Sequence, residues 1–337
     1  VNNLYKALYL KFIKGLGPVK IKKLIEDSKI DTIDFNIKDI RIKVEKEIEK
    51  IEKNNISTIT LLDDNYPESL KNIADPPVVL YYIGKIEPNI PLIAVVGTRK
   101  PSLYGIRASE YIVTSLVERG IGIVSGLAIG IDAVSHKAAL SSNGYTIGVL
   151  GSSIDLIYPN SNRSLADKIL EKGGAIISEF EIGTKPSYYT FPSRNRIISG
   201  LSLGTLIIEA SISSGALITA KISAEQGRPV FAVPGPILKE SFLGNNTLIR
   251  EGGILIRNVD DIINDIPLKN NLRRNEKTII ELGDEEKIIY DIIESGTDIE
   301  TIINKSGFGI SKVLSIISSL IIKDLVIETG GLYSKRI

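Results

Sequence analysis

The amino-acid sequence predicts an α/β protein: a parallel-sheet domain over residues 76–266, preceded by a helical domain at 1–75 and followed, across a linker at 267–283, by a winged helix at 284–337. Three observations predict it. Between residues 76 and 260, apolar β-branched runs alternate with helical patterns. Those runs, at 92–96, 121–124, 146–150, 175–177, 205–208 and 230–233, are continuously apolar, as strands of a parallel sheet covered on both faces must be. Both flanks carry apolar residues at helical rather than strand spacing.

In chain order, Tyr5, Leu8, Leu10 and Phe12 lead into Gly15-Leu16-Gly17-Pro18, after which Val19, Ile21, Leu24 and Ile25 resume the helical period. Two helices joined by a glycine turn fit a helix-hairpin-helix, whose amides hold DNA phosphate, and fit a SAM-like packing domain equally well. The first 25 residues hold six lysines and no acidic residue. Ile42, Val44, Ile48 and Ile51 sit in a Lys/Glu-rich stretch that reads as a charged amphipathic helix. Within the sheet region, Ile106, Ile112, Val113, Leu116 and Val117 form a helical stripe stopped by Gly120. Residues 267–283 are polar and irregular, as a linker is. Helices at 286–294, 299–305 and 310–322, then a hairpin through Gly330-Gly331, complete the winged-helix pattern. This last segment carries six Lys/Arg against nine Asp/Glu, a net of −3. Phosphate binding needs clustered positive charge, so the segment is expected to contact protein or regulate the chain rather than grip duplex DNA.

Composition excludes several function classes. Lys and Arg total 41 against 40 Asp and Glu, so no global field draws the protein to a polyanion and any such site must be local. There is no cysteine, which removes disulfides, thiolate nucleophiles and Cys-ligated zinc. A single histidine, His136, argues against a His-built metal site or a catalytic triad. No cofactor, metal or catalytic residue is expected. No apolar run suits a membrane span, and the N-terminal lysines interleave with apolar residues unlike a signal peptide, so a cytoplasmic location is expected. Methionine and tryptophan are absent, and residue 1 is Val1.

Ligands of open parallel sheets bind beyond the carboxyl ends of the strands. There the sequence places Gly97-Thr98-Arg99, Ser125-Gly126, Gly151-Ser152-Ser153, Ser178-Glu179, Glu209-Ala210-Ser211 and Pro234-Gly235. Small residues let backbone N–H groups approach an anion, and helix N-termini add partial positive charge. The same rim gathers Arg99, Asn162, Arg163, Arg194, Asn195 and Arg196, with Tyr104, Tyr158, Tyr188, Tyr189 and Phe191 nearby. Cations beside aromatic platforms are what a single nucleic-acid strand needs. A groove occluded by its own carboxylates, or arginines turned inward to neutralise them, would end the case for a groove lined by these guanidinium groups. No P-loop and no dinucleotide fingerprint occurs. His136 is expected to be a packed histidine and Asp132 a helix cap. Glu179 and Glu209, ending strands near the rim, fit an acid or base, and fit at least as well a role in pairing with Arg194 or Arg196 or in holding the rim in shape.

Read together, these turns resemble the DprA/Smf family. The resemblance is carried by Tyr66-Pro67-Glu68-Ser69-Leu70, Asp75-Pro76-Pro77, Val95-Val96-Gly97-Thr98-Arg99 with Ser102, Tyr104 and Gly105, the run from Ser125 to Asp132 with His136, and Tyr158-Pro159 with Asn162. Phe191-Pro192-Ser193-Arg194-Asn195-Arg196-Ile197-Ile198, the run from Ser214 to Ala220, and Val233-Pro234-Gly235 complete it. It implies an extended Rossmann-like fold that forms a homodimer, binds single-stranded DNA in a positive pocket and loads RecA recombinase on incoming DNA during natural transformation. It implies a DNA-binding role for Gly97, Thr98 and Arg99, for Ser125 and Gly126 through backbone N–H groups, and for Arg194, Asn195 and Arg196. The position after Tyr158-Pro159, often basic in the family, is Asn160 here; Asn162 and Arg163 follow, and Arg163 is expected to supply the charge. The competing reading is a nucleotide-processing enzyme similar to cytokinin-activating phosphoribohydrolases. Their P-G-G-x-G-T-x-x-E motif is only approximated by Gly204-Thr205 and Glu209, one residue too far apart. A purely regulatory nucleotide sensor is a third class.

Overall fold

A computed structural model describes residues 2–268, 282–294, 296–323 and 325–335. The chain divides into two units, Val1–Arg273 and Arg274–Ile337. The first is built on a nine-stranded sheet: β1 (Ser57–Thr60), β2 (Val79–Gly84), β3 (Leu92–Val96), β4 (Gly122–Ser125), β5 (Thr146–Val149), β6 (Ala175–Ser178), β7 (Thr205–Ile207), β8 (Val230–Ala232) and β9 (Ile254–Leu255). Their spatial order is β1-β2-β6-β5-β4-β3-β7-β8-β9. Strands β3 to β9 pair in parallel; β1 and β2 extend the sheet antiparallel beyond β6.

Alternate residues of one strand feed opposite cores, which is why the strands read as unbroken apolar runs. From β3, Ile93 and Val95 meet Ile112, Val113 and Leu116 of helix Leu103–Glu118 and Ile131 of helix Ile131–Ser141. Ala94 and Val96 face the other way, onto Ile197, Ile198 and Leu201 of helix Thr190–Leu201 and Ala216 and Ala220 of helix Gly215–Glu225. The chain winds outward from β3 through β4 and β5 to β6, then returns to place β7 on the opposite side of β3. Between β3 and β7 the order reverses, and consecutive helices leave on opposite faces. That is the point where an open sheet leaves a crevice.

The N-terminal segment departs from its expected form. Residues 57–60, inside a stretch expected to be helical, form β1 and pair with β2. Helices Asn3–Phe12, Pro18–Glu26 and Lys38–Lys53 belong to the same unit as the sheet, with Leu8, Leu10, Ile21, Val44 and Ile51 in one core with Val79, Tyr81 and Ile176. Gly15 sits at φ 83° in the turn between the first two helices. Most of the linker expected at 267–283 lies outside the described residues.

The second unit has helices Asp284–Ile292, Ile299–Ser306 and Ile310–Ile322, and strands β10 (Thr297–Asp298), β11 (Val326–Thr329) and β12 (Leu332–Lys335) in the order β10-β12-β11. Ile289, Ile302, Val313, Ile317, Leu320 and Val326 form its core. The short β10, absent from the sequence expectation, adds a third strand to the expected hairpin.

Candidate functional site

A cleft of about 600 Å³ opens at the carboxyl ends of β3 and β7, where the strand order reverses. Val96, Gly97, Thr98 and Arg99 line one side, Ser211, Ser214, Gly215 and Thr219 the other, and Phe191, Arg194, Asn195 and Ile198 the floor. Ser214 caps helix Gly215–Glu225, accepting from the Ala216 N–H. Ser211 stands at the rim as expected, whereas the run from Ser214 to Ala220 carries the family resemblance without being expected to line the site.

The turn after β3 is fixed by its backbone. The Thr98 N–H donates to the Glu209 carbonyl at 2.7 Å, and the Thr98 carbonyl accepts from the Ile131 N–H at 3.1 Å. Gly130 brings these loops together: it sits at φ 86°, and a Cβ there would strike the Thr98 carbonyl oxygen. The turn sends Arg99 outward. Arg99 is exposed, has no ion pair among the described residues, and lies 5.6 Å over the Phe191 ring. Phe191 in turn lies 5.8 Å from Tyr158. A row of guanidinium and two aromatic rings therefore runs along the rim, past the exposed Asn160 and Arg163 that follow Tyr158. Tyr188 and Tyr189 are 84% and 83% exposed beside it.

Several residues expected to meet phosphate are spent inside the protein. Ser125 is fully buried and donates its hydroxyl to the Val95 carbonyl. The Gly126 N–H donates to the Asp132 carboxylate at 3.1 Å. Asn162 is buried and donates to the Leu127 carbonyl. Arg194, only 6% exposed, donates to the carbonyls of Gly126 and Val149. A Cβ on residue 126 would collide with that guanidinium and displace it from these carbonyls. Arg196, 8% exposed, pairs with Glu179 at 2.6 Å and Asp75 at 2.9 Å. These are corrections to the expected site: two of its guanidinium groups are turned inward, because charges and carbonyls left at strand ends must be satisfied where water is excluded. Asn195 lines the cleft, its carbonyl oxygen accepting from Arg194.

The remaining titratable groups are structural. Asp132 is not the cap of its helix; Gly130 holds that position, and the carboxylate reaches back to the N–H groups of Gly126 and Ala128. Burial raises its pKa, opposed by Arg194 and those amides. Burial lowers the Arg194 pKa to about 10. His136 is packed, as expected. Thr146 spends its hydroxyl proton on the Ile123 carbonyl, so His136 donates to it through Nδ1 as a neutral ring, and burial pulls its pKa down to about 3. Glu179 pairs with Arg196, as expected, and Glu209 accepts from the Ser102 N–H and hydroxyl, holding the rim in shape. Among the described residues no cluster of three or more His, Cys, Asp or Glu could hold a metal ion, and no helix is long and apolar enough to cross a membrane.

A family model for DNA recombination-mediator protein A matches residues 57–267. The chain belongs to that family. Protein Smf of Escherichia coli is 42% identical over 227 residues, which are 67% of this chain and 61% of that protein. The DNA processing protein DprA of Streptococcus pneumoniae is 42% identical over 207 residues, 61% of this chain and 73% of that protein. The X-ray structure of that DprA matches with a TM-score of 0.69 at 33% identity, covering 80% of this chain and 99% of that one. A structure of Helicobacter pylori DprA, whose subject is a single-stranded DNA binding mode, matches with a TM-score of 0.56 at 30% identity, covering 62% of this chain and 94% of that one. The motifs read from the sequence as those of DprA/Smf thus belong to a member of that family, and the cleft lies wholly within the matched residues.

Proposed function

We propose that this DprA-family chain binds single-stranded DNA along the rim of the β3–β7 cleft, protects it and passes it to a RecA-type recombinase as a homodimer, without cleaving it. One observation carries the reading: Arg99, outward-facing and without an ion pair among the described residues, is stacked on the Phe191–Tyr158 row at the mouth of the cleft. A single strand offers phosphates to such a cation and bases to such rings. The DNA-binding mode described for the H. pylori relative supports the same assignment. The phosphate contacts in this proposal are narrower than those expected from sequence. They comprise Arg99, Arg163 with Asn160, the Gly97-Thr98 turn, Asn195, and the amides that open helix Gly215–Glu225. The three helices and hairpin of residues 284–337 support their reading as a winged helix, and the acidic balance supports a protein contact for it.

Titration of labelled oligo-dT over a range of salt concentrations tests the proposal. The expected result is binding whose log–log salt slope is about −0.7 per phosphate engaged. RecA filament growth on the same oligonucleotide, with and without this protein, tests the hand-over. Release of free base from a nucleoside monophosphate, with no oligo-dT binding, would establish the enzyme reading instead.

A further inference from the structure

The exposed tyrosines at the cleft have almost no packing of their own. Tyr188 and Tyr189 touch one another edge-on at 5.9 Å and are otherwise largely in solvent. Ser187 and Thr190, bonded to each other on either side of them, tie them to the start of helix Thr190–Leu201, and the loop that carries them rises after β6 from a base at residues 179–184. One side of that base is tied to the rim: the Gly183 N–H donates to Ser153 and Asp155, and the Ser153 N–H donates to the Thr184 carbonyl. The other side is tied to the N-terminal helices. Lys11 donates to the Glu179 carbonyl at 2.8 Å and lies 3.6 Å from the Glu181 carboxylate. Glu47 accepts from the Ile182 N–H at 2.8 Å, and Lys50, one turn on, donates to the Ile182 carbonyl at 3.3 Å and pairs with Glu47.

The peptide groups of Ile182 are thus held at both N–H and C=O by one turn of helix Lys38–Lys53. Glu47 is only 3% exposed. Burying a carboxylate is costly, and an apolar residue would pack this helix more simply. A charge kept there to hold one loop amide has a use beyond packing.

We propose that Lys11 and Glu47 are positioning residues for the cleft. They clamp residues 179–182 and so hold the Tyr188–Phe191 lip where bases stack, without touching DNA. The clamp stands on the structure alone; its consequence for affinity rests on the DNA-binding reading.

The test uses the full chain and the variants Lys11→Met, Glu47→Gln and the charge-preserving Lys11→Arg. Because the protein has no tryptophan, Tyr188→Trp gives each a single indole reporter on the lip. Loss of either clamp is expected to speed amide exchange across 179–189 about tenfold or more and to lower the indole anisotropy, with exchange in β3 to β5 unchanged. Oligo-dT affinity, read without the reporter, should fall severalfold with an unchanged salt slope, and Lys11→Arg should restore both. Unchanged exchange at 179–189 overturns the proposal, as does a rise in exchange throughout residues 1–268, which would make these residues general fold staples. A salt slope shallower by about 0.7 in Lys11→Met also overturns it, since Lys11 would then be meeting phosphate itself. If the parent chain fails to bind oligo-dT, the DNA reading falls while the exchange data still judge the clamp.

Discussion

Arg194→Met separates a scaffold from a ligand at the floor of the cleft. In the folded protein this guanidinium donates to the carbonyls of Gly126 and Val149 and neutralises Asp132, whose carboxylate is buried against the Gly126 and Ala128 amides. Methionine keeps much of the side-chain volume but leaves two carbonyls without this donor and one buried carboxylate without its opposite charge. Leaving a buried carbonyl without its donor costs about 1–3 kcal/mol, and here two lose theirs while Asp132 loses the nearby positive charge that opposes its burial penalty. Against a total stability of about 5–15 kcal/mol, the loss should be plain in urea denaturation of the unit Val1–Arg273 as a lowered midpoint at constant slope. Adding Asp132→Asn removes the stranded charge, and the double variant should recover about 1–3 kcal/mol relative to the sum of the singles. If Arg194→Met keeps its stability but loses oligo-dT affinity, or if the two substitutions simply add, the inward reading is wrong and Arg194 is a phosphate ligand.

Arg99→Ala should weaken binding to all single-stranded sequences alike and make the salt slope shallower by about 0.7, measured by the same titration. Tyr188→Ala should cost about 1–3 kcal/mol of binding, the value of one stacked base, with little change in the salt slope. His136 gives a pH dependence of stability: the unfolded chain takes up a proton near 6.5, whereas the folded ring stays neutral to about 3. Stability present above pH 6.5 should therefore fall through that window by up to about 1.4 kcal/mol per pH unit, a slope that His136→Asn removes in denaturation series. Deleting residues 284–337 should leave oligo-dT affinity largely intact, and a large loss would show that the acidic balance of that segment misleads.

The parallel strands were legible because burial on both faces leaves an unbroken apolar run. The crevice turn Gly97-Thr98-Arg99 was legible because it follows the first of them. β1 was not: Ser57-Thr58-Ile59-Thr60 is short and half polar, and only pairing with β2 makes it a strand. β9 is only two residues long, yet Ile254–Ile256 was legible as the sheet's last strand. The inward turn of Arg194 left a signal that composition hides. Positions 194, 197, 198 and 201 fall on one helical face, and three of them are Ile197, Ile198 and Leu201. An arginine completing an apolar face is a buried arginine. Arg196 gives a weaker version of the same signal, flanked on its helix by the small Ser199 and Gly200 of a helix buried nearly all round. Glu47 offered nothing to read, since its partner, the Ile182 amide, lies 135 residues away.

The two kinds of arginine follow from the topology. At β3 and β7 the strand order reverses, so the following helices, Leu103–Glu118 and Gly215–Glu225, depart to opposite faces and leave the strand ends open. Charge placed there can reach a ligand, and Arg99 stands there exposed. At β4 and β5 no reversal occurs, and their ends must be closed from within. Arg194, rising from helix Thr190–Leu201, does this through one nitrogen, Nη1, which donates both to the Gly126 carbonyl past β4 and to the Val149 carbonyl ending β5. The guanidinium that closes one gap also forms the floor of the next. A near-neutral protein can thus present a polyanion site at a single crevice, with an exposed cation such as Arg99 placed where the sheet stays open.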